Sequence, residues 1–174
     1  MTERPAWAVE AVYVSPPDPD WGRQGVALAS RVQDLLAPWL LEPVEHVGST
    51  AVPGLPAKPV LDLQAVVADL RVTEQAAEAL AGDGWAYVPP ELDGRDLRRF
   101  FVRVVDGHRA AHLHLMTPAE PDRLRQRAFR DALRADASLR EAYGRLKLRL
   151  AAEHRDDREA YTDGKSDFVL SALR

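Results

Sequence analysis

The chain of 174 residues reads as an α/β (α+β) protein, a mixed β-sheet flanked by helices with a helical C-terminal third. Three observations predict this. Val60 to Val67 is β-branched and largely apolar, the pattern of a strand buried on both faces. Asp106-Gly107 joins the alternating runs Leu97–Val105 and Ala110–Met116, a strong hairpin signal. Beyond Thr117 the apolar residues recur at helical spacing, as in Leu139, Ala142, Tyr143, Leu146 and Leu150.

The elements follow in order. Val9 to Val14 suits a short strand, after which Pro16, Pro17 and Pro19 force an extended path to Asp20-Trp21. Gly22 to Trp39 places Val26, Ala29, Val32, Leu35, Leu36 and Trp39 on one helical face, and Pro38 breaks the last turn. Val44 to Val47 is a short strand. Side chains alternate along Val60–Val67, so Asp62 and Gln64 share a face. Thr73 to Leu80 is a helix with Thr73 as its N-cap and Gly82 or Gly84 as its stop. Trp85 to Val88 is a strand, and Pro89 to Gly94 a polar loop. His112 and His114 share a face of the second hairpin strand. Thr117-Pro118-Ala119-Glu120 reads as a capping box opening a helix to about Ala135. Asp136 caps the next helix. A last one, about Asp157 to Leu173, buries Tyr161, Phe168, Val169 and Ala172.

Composition bounds the function. Hydrophobic residues at 46%, charged residues at 29% and a mean hydropathy of -0.30 describe a chain able to build a core. A net charge of -4 gives no strong nucleic-acid signal. The absence of cysteine excludes disulfides, thiolate metal sites and Cys nucleophiles, and fits a cytoplasmic location. Met1 to Pro5 has no apolar signal-peptide core. No apolar run approaches the roughly 20 residues that span a bilayer, so no membrane partner is expected.

The stretch His46-Val47-Gly48-Ser49-Thr50-Ala51-Val52-Pro53-Gly54-Leu55-Pro56-Ala57-Lys58-Pro59-Val60-Leu61-Asp62 organises the rest. Its small and hydroxyl residues let backbone N–H groups approach an anion closely. Pro and Gly clusters also mark plain turns, so two readings stand: a phosphate cradle, or a connection between strands. The hydroxyls, Lys58 and the strand-borne Asp62 favour the first.

This motif resembles the signature of the GrpB family, a group within the nucleotidyltransferase superfamily. Asp20-Trp21, His112-Leu113-His114-Leu115, Phe129-Arg130-Asp131, Leu146-Lys147 and Tyr161-Thr162-Asp163-Gly164-Lys165 follow in the family's order, so the resemblance covers nearly the whole chain. It implies a single nucleotidyltransferase-like domain, residues 1–117 with helices of 118–174 packed on it. It also implies a metal-dependent protein that takes a nucleoside triphosphate and passes a nucleotidyl or phosphoryl group to a small acceptor. Gly48 and Ser49 would contact phosphate, and Asp62 would hold Mg²⁺ or Mn²⁺. The superfamily spaces a second carboxylate one residue after the first. Here Gln64 stands at that position, and the later strand offers His112 and His114 where a third acid belongs. A non-catalytic nucleotide or small-anion binding module with a degenerate metal site is the alternative.

The remaining candidates have two readings each. His46, His112 and His114 converge on Asp62 as metal ligands (His46, His114) or acid/base groups (His112, His114), or they are half-buried polar residues. Thr50 and Lys58 contact phosphate, or Lys58 is a solvated loop lysine. Tyr161 and Lys165, one helical turn apart, stack on a base and grip a phosphate, or Tyr161 packs and Lys165 snorkels. The ligand class on either functional reading is a nucleotide or another phosphorylated small molecule. Arg95 to Arg99 is a solvated loop and strand edge, or a basic lip to an anionic site.

Overall fold

The computed structural model describes residue 7 and residues 10–174. The strands are β1 (Glu45–Val47), β2 (Leu61–Val66), β3 (Trp85–Val88), β4 (Arg98–Val105) and β5 (His108–Met116). The helices are α1 (Trp21–Leu36), α2 (Thr73–Ala81), α3 (Pro90–Asp93), α4 (Asp122–Ala135), α5 (Ala137–Glu153), α6 (Arg158–Asp163) and α7 (Ser166–Ala172). The sheet order is β1-β2-β5-β4-β3, with β2 and β5 parallel and every other pair antiparallel. This is the mixed sheet that the sequence predicts.

Strand alternation divides the sheet into two chemistries. Leu63, Ala65, Phe101, Leu113 and Leu115 face α1 and α2 and form the main core with Leu28, Val32, Leu36 and Leu80. Each fully buried Leu there contributes about 1.5–3 kcal/mol. Asp62, Gln64, His112 and His114 face the other way, toward the C-terminal helices. The parallel register pairs Asp62 with His112 and Gln64 with His114.

Several expectations are corrected. Of the Val9–Val14 strand, Val9 lies outside the described residues; residues 10 to 14 belong to no strand, and Ser15 makes an isolated bridge to Ala57. Val26 is exposed, because α1 turns Trp21, Gly25 and Leu28 inward instead. Asp69 caps the turn ahead of α2 by accepting from the Arg71 amide, and Thr73 donates to the Leu70 carbonyl. Pro89–Gly94 is not a plain loop: Pro90–Asp93 forms one helical turn, closed by Gly94 at φ 70°. The helix foreseen at Thr117 starts at Asp122, whose amide donates to the Glu120 carboxylate. The last helix is two, α6 and α7, broken at Gly164-Lys165. A Cβ on Gly164 would stand 2.6 Å from Leu150, so the break lets the chain lie close on α5. Asp136 does cap α5, accepting from the Leu139 amide at 3.0 Å. No helix among the described residues is long and apolar enough to cross a membrane.

Candidate functional site

A cleft of about 840 Å³ opens on the polar face of the sheet. Its floor is Asp62, His112, His114 and Phe100, one end is Gly48 and Ser49, and α5 and α6 close a side with Lys147 and Tyr161. The Asp62 carboxylate therefore faces a cavity beside the Gly48-Ser49 bend.

Gly48 is needed at this bend. Its φ of 73° and ψ of -170° belong to a region open essentially to glycine. A Cβ there would lie 2.5 Å from Asp62 Oδ2, so the missing side chain admits the carboxylate. Ser49–Ala51 then forms a single 3-10 turn, closed by the Ala51 and Val52 amides on Gly48 O and Ser49 O. The Ser49 and Thr50 amides have no partner among the described residues.

Asp62 is the centre of a hydrogen-bonded chain. His112 Nδ1 donates to Asp62 Oδ1 at 3.0 Å, and His114 Nε2 stands 3.7 Å from the same oxygen. Burial works to raise the carboxyl's pKa. The two rings outweigh it and hold the group well below the carboxylate range. Burial also lowers both histidines, against the pull of Asp62, so the rings are neutral near pH 7. Arg98 Nη1 donates to His114 Nδ1 at 2.8 Å, and Arg109 Nη1 lies 3.4 Å from His112 Nε2. Asp93 of α3 fixes Arg98 through both carboxylate oxygens.

The cleft is also cationic. The sequence contains three lysines, Lys58, Lys147 and Lys165, within a combined Lys and Arg count of 23. All three line this cleft. Lys58 Nζ and Lys165 Nζ stand 5.2 Å and 4.3 Å from the Tyr161 ring centroid, and Lys147 Nζ 4.9 Å from that of Tyr143. Lys147 also donates to the Pro56 carbonyl. The cleft's ion pairs join other groups, and no carboxylate pairs with these amines among the described residues. Burial lowers Lys147 to about 7, helped by Lys165. Burial brings Lys58 and Lys165 to about 8, with Arg158 adding to the first and Lys58 to the second.

The structure decides between the readings of His46, Thr50 and Tyr161, and it places Gln64. His46 does not join Asp62, because β1 pairs it with Leu63 on the opposite face. Its ring lies on Gly25 of α1, and its Nε2 donates to Thr50 Oγ1 at 2.9 Å. Burial lowers its pKa to about 4. The Thr50 hydroxyl in turn donates to Val60 O at 3.3 Å and does not line the cleft. Tyr161 is 1% exposed, packed on Val12, Val14 and Leu150 under the two ammonium groups, so no ring face is left for a base. Gln64 is turned into α4, where its oxygen accepts from Arg127 Nε at 3.1 Å and its nitrogen donates to Gln126 Oε1 at 2.6 Å.

Sequence reasoning missed Arg109 and Phe100. Of the two readings of Arg95 to Arg99, the basic lip fits Arg95 and Arg98, which line the cleft, and the Arg98 side chain is only 13% exposed. The concentration of every lysine in three motif positions was a signal available in the sequence.

The donor set does not fit Mg²⁺ or Mn²⁺. Hard cations take oxygen ligands, and the cleft floor offers one carboxylate whose Oδ1 already accepts from His112. Among the described residues no three His, Asp or Glu side chains are placed to hold one ion.

The family model described as GrpB protein matches residues 11–174. The chain belongs to the GrpB family. It is 36% identical over 168 residues to a UPF0157 protein of Pseudomonas aeruginosa, covering 94% of this chain and 67% of that one. Other curated relatives that it matches are longer, and the chain spans 37% of one and 65% of another. The crystal structure of conserved protein GrpB from Enterococcus faecalis superposes with a TM-score of 0.81 at 28% identity, covering 92% of this chain and 94% of that one. A chain of the GLD-2/RNP-8 complex matches with a TM-score of 0.59 at 12% identity, over 90% of this chain and 59% of that one. That likeness is one of fold: the GrpB sheet is a nucleotidyltransferase-like sheet.

Proposed function

We propose that this GrpB protein binds a phosphorylated small molecule, a nucleoside triphosphate or a ligand with a similar polyphosphate, in the Asp62 cleft. Lys58, Lys147 and Lys165 supply the positive charge, and the Ser49 amide supplies a further donor. The observation that carries this reading is the convergence of all three lysines on one cleft without a carboxylate partner among the described residues. Buried unpaired amines are costly, and an anion bearing several charges removes that cost. Under this reading the amines take the place that bound metal has in a nucleotidyltransferase.

Titration calorimetry with ATP and with inorganic triphosphate, each with and without EDTA, tests it. Binding should survive the chelator. Lys165→Met should weaken it by about tenfold or more, the loss of one charge-assisted contact, without lowering the unfolding midpoint. Failure to bind any common nucleoside triphosphate or inorganic triphosphate overturns the proposal.

A second reading is transfer of a nucleotidyl or phosphoryl group to a small acceptor. It is favoured by the position of Asp62 on β2, where the family resemblance implies the metal-holding acid. Its mark would be turnover of labelled triphosphate that stops with Asp62→Asn.

A further inference from the structure

We propose that Arg98 is a positioning residue that locks His114 in its Nε2–H form and so keeps the Asp62–His112–His114 trio closed to metal ions. Two imidazoles beside one carboxylate are a common donor set for transition metals. What decides its use is which ring nitrogen carries the proton, and that is set by the partner of the other nitrogen.

Arginine has five N–H donors and no acceptor. With Arg98 Nη1 at 2.8 Å, His114 Nδ1 must present its lone pair to the guanidinium. The ring's proton is therefore on Nε2, the nitrogen aimed at Asp62. A doubly protonated ring would set N–H against N–H at Arg98. The other imidazole is ordered the same way. His112 Nδ1 faces a carboxylate at 3.0 Å and must donate, which leaves Nε2 as the lone pair toward Arg109 at 3.4 Å. A metal held between Asp62 and either ring would need the nitrogen that now carries hydrogen. The displaced proton would then point into a guanidinium.

Arg98 is itself held in place. Asp93 grips it with both oxygens, and its guanidinium carbon lies 5.0 Å from the Phe100 ring centroid. The one-turn helix α3, ended by Gly94, presents Asp93 at this point. The locked trio thus sets the His112 N–H on Asp62 Oδ1, turns the His114 N–H toward the same oxygen at 3.7 Å, and leaves Oδ2 beside Gly48. That disposition suits acceptance of a hydrogen bond from a ligand hydroxyl or amine. The inference stands apart from the polyphosphate reading, because its test uses protein without ligand.

The test is a long-range ¹H–¹⁵N correlation spectrum of the imidazoles in the full chain, alone and with equimolar Zn²⁺ or Mn²⁺. His114 should appear as the Nε2–H tautomer and His112 as the Nδ1–H tautomer, both unmoved by Zn²⁺. Arg98→Met should give His114 a mixture of tautomers and raise Zn²⁺ affinity by about tenfold or more, the scale on which such outer partners tune a site. Arg98→Lys, which keeps one donor, should restore the Nε2–H form. An Nδ1–H tautomer at His114 in the unaltered chain overturns the proposal, as do shifts of both rings on adding Zn²⁺ to it. A tautomer unchanged in Arg98→Met would overturn the role of Arg98. If Arg98→Met does not fold, the unaltered chain and Arg98→Lys decide.

Discussion

Arg127 Nε donates to Gln64 Oε1 at 3.1 Å, which fastens α4 to the centre of the sheet. Gln64 is fully buried, and its nitrogen donates to Gln126 Oε1 at 2.6 Å and Arg123 O at 3.3 Å. Around it Arg123 and Arg127 pair with Glu42, and Arg130 with Glu45. Gln64 thus serves as a clamp between β2 and α4. Gln64→Leu would leave two acceptors and one donor of α4 without this partner. It should cost about 1–3 kcal/mol, the penalty for stranded buried polar groups, read as a lower midpoint in urea. An unchanged midpoint would show that α4 is held by its arginine–glutamate pairs alone.

Gly48 and Asp62 Oδ2 share one space. Gly48→Ala combines a disallowed backbone region, about 1–3 kcal/mol of strain, with a Cβ placed 2.5 Å from that oxygen. The variant should unfold earlier and bind triphosphate more weakly. Thermal unfolding and calorimetry on one preparation check both, and full retention of both would mean that the bend relaxes freely.

The lysines make binding and stability respond to pH in opposite directions. Anion binding uses protonated amines, and Lys147 at about 7 with Lys58 and Lys165 at about 8 lose their protons first. Triphosphate affinity should therefore fall as pH rises from 7 to 9. For folding the sign reverses. The folded-state pKa values lie below the ordinary 10.5, so the unfolded chain binds more protons between about 7 and 10.5. This contribution to stability rises with pH over that window and is lost as pH falls through the folded values. Calorimetry and urea unfolding across pH 6 to 9 should show the two trends crossing. An affinity flat from 7 to 9 would leave the lysines without a part in binding.

His46 and Gly25 are a packing pair. A Cβ on Gly25 would stand 2.0 Å from His46 Nδ1. Gly25→Ala should destabilise by about 1–3 kcal/mol or more, as overpacking does. Adding His46→Ala to Gly25→Ala should recover part of that loss. Simple addition of the two single effects in chemical unfolding would disprove the contact.

The sequence by itself determined the local pieces. The β-branched run placed Asp62 and Gln64 on one face of β2, the Asp106-Gly107 step made the hairpin, and Asp136 capped α5. These signals are contained in a few residues and repeat every 2 or 3.6 positions. Only the tertiary structure decided which pieces meet. The parallel pairing of β2 with β5 set Asp62 beside His112 across 50 residues of chain. The antiparallel register of β1 turned His46 to the α1 side. The hairpin is the sharpest case. A plain two-residue turn at Asp106-Gly107 would pair Arg99 with His114 and point Arg98 away. The register shift between Arg103 and Val104 moves the pairing by one, so that Phe100 meets His114 and Arg98 shares its face. Because side chains alternate with a period of two, a single extra residue in one strand changes which arginine reaches the site. Local propensity carries no record of that choice; it is made by the packing of the whole sheet.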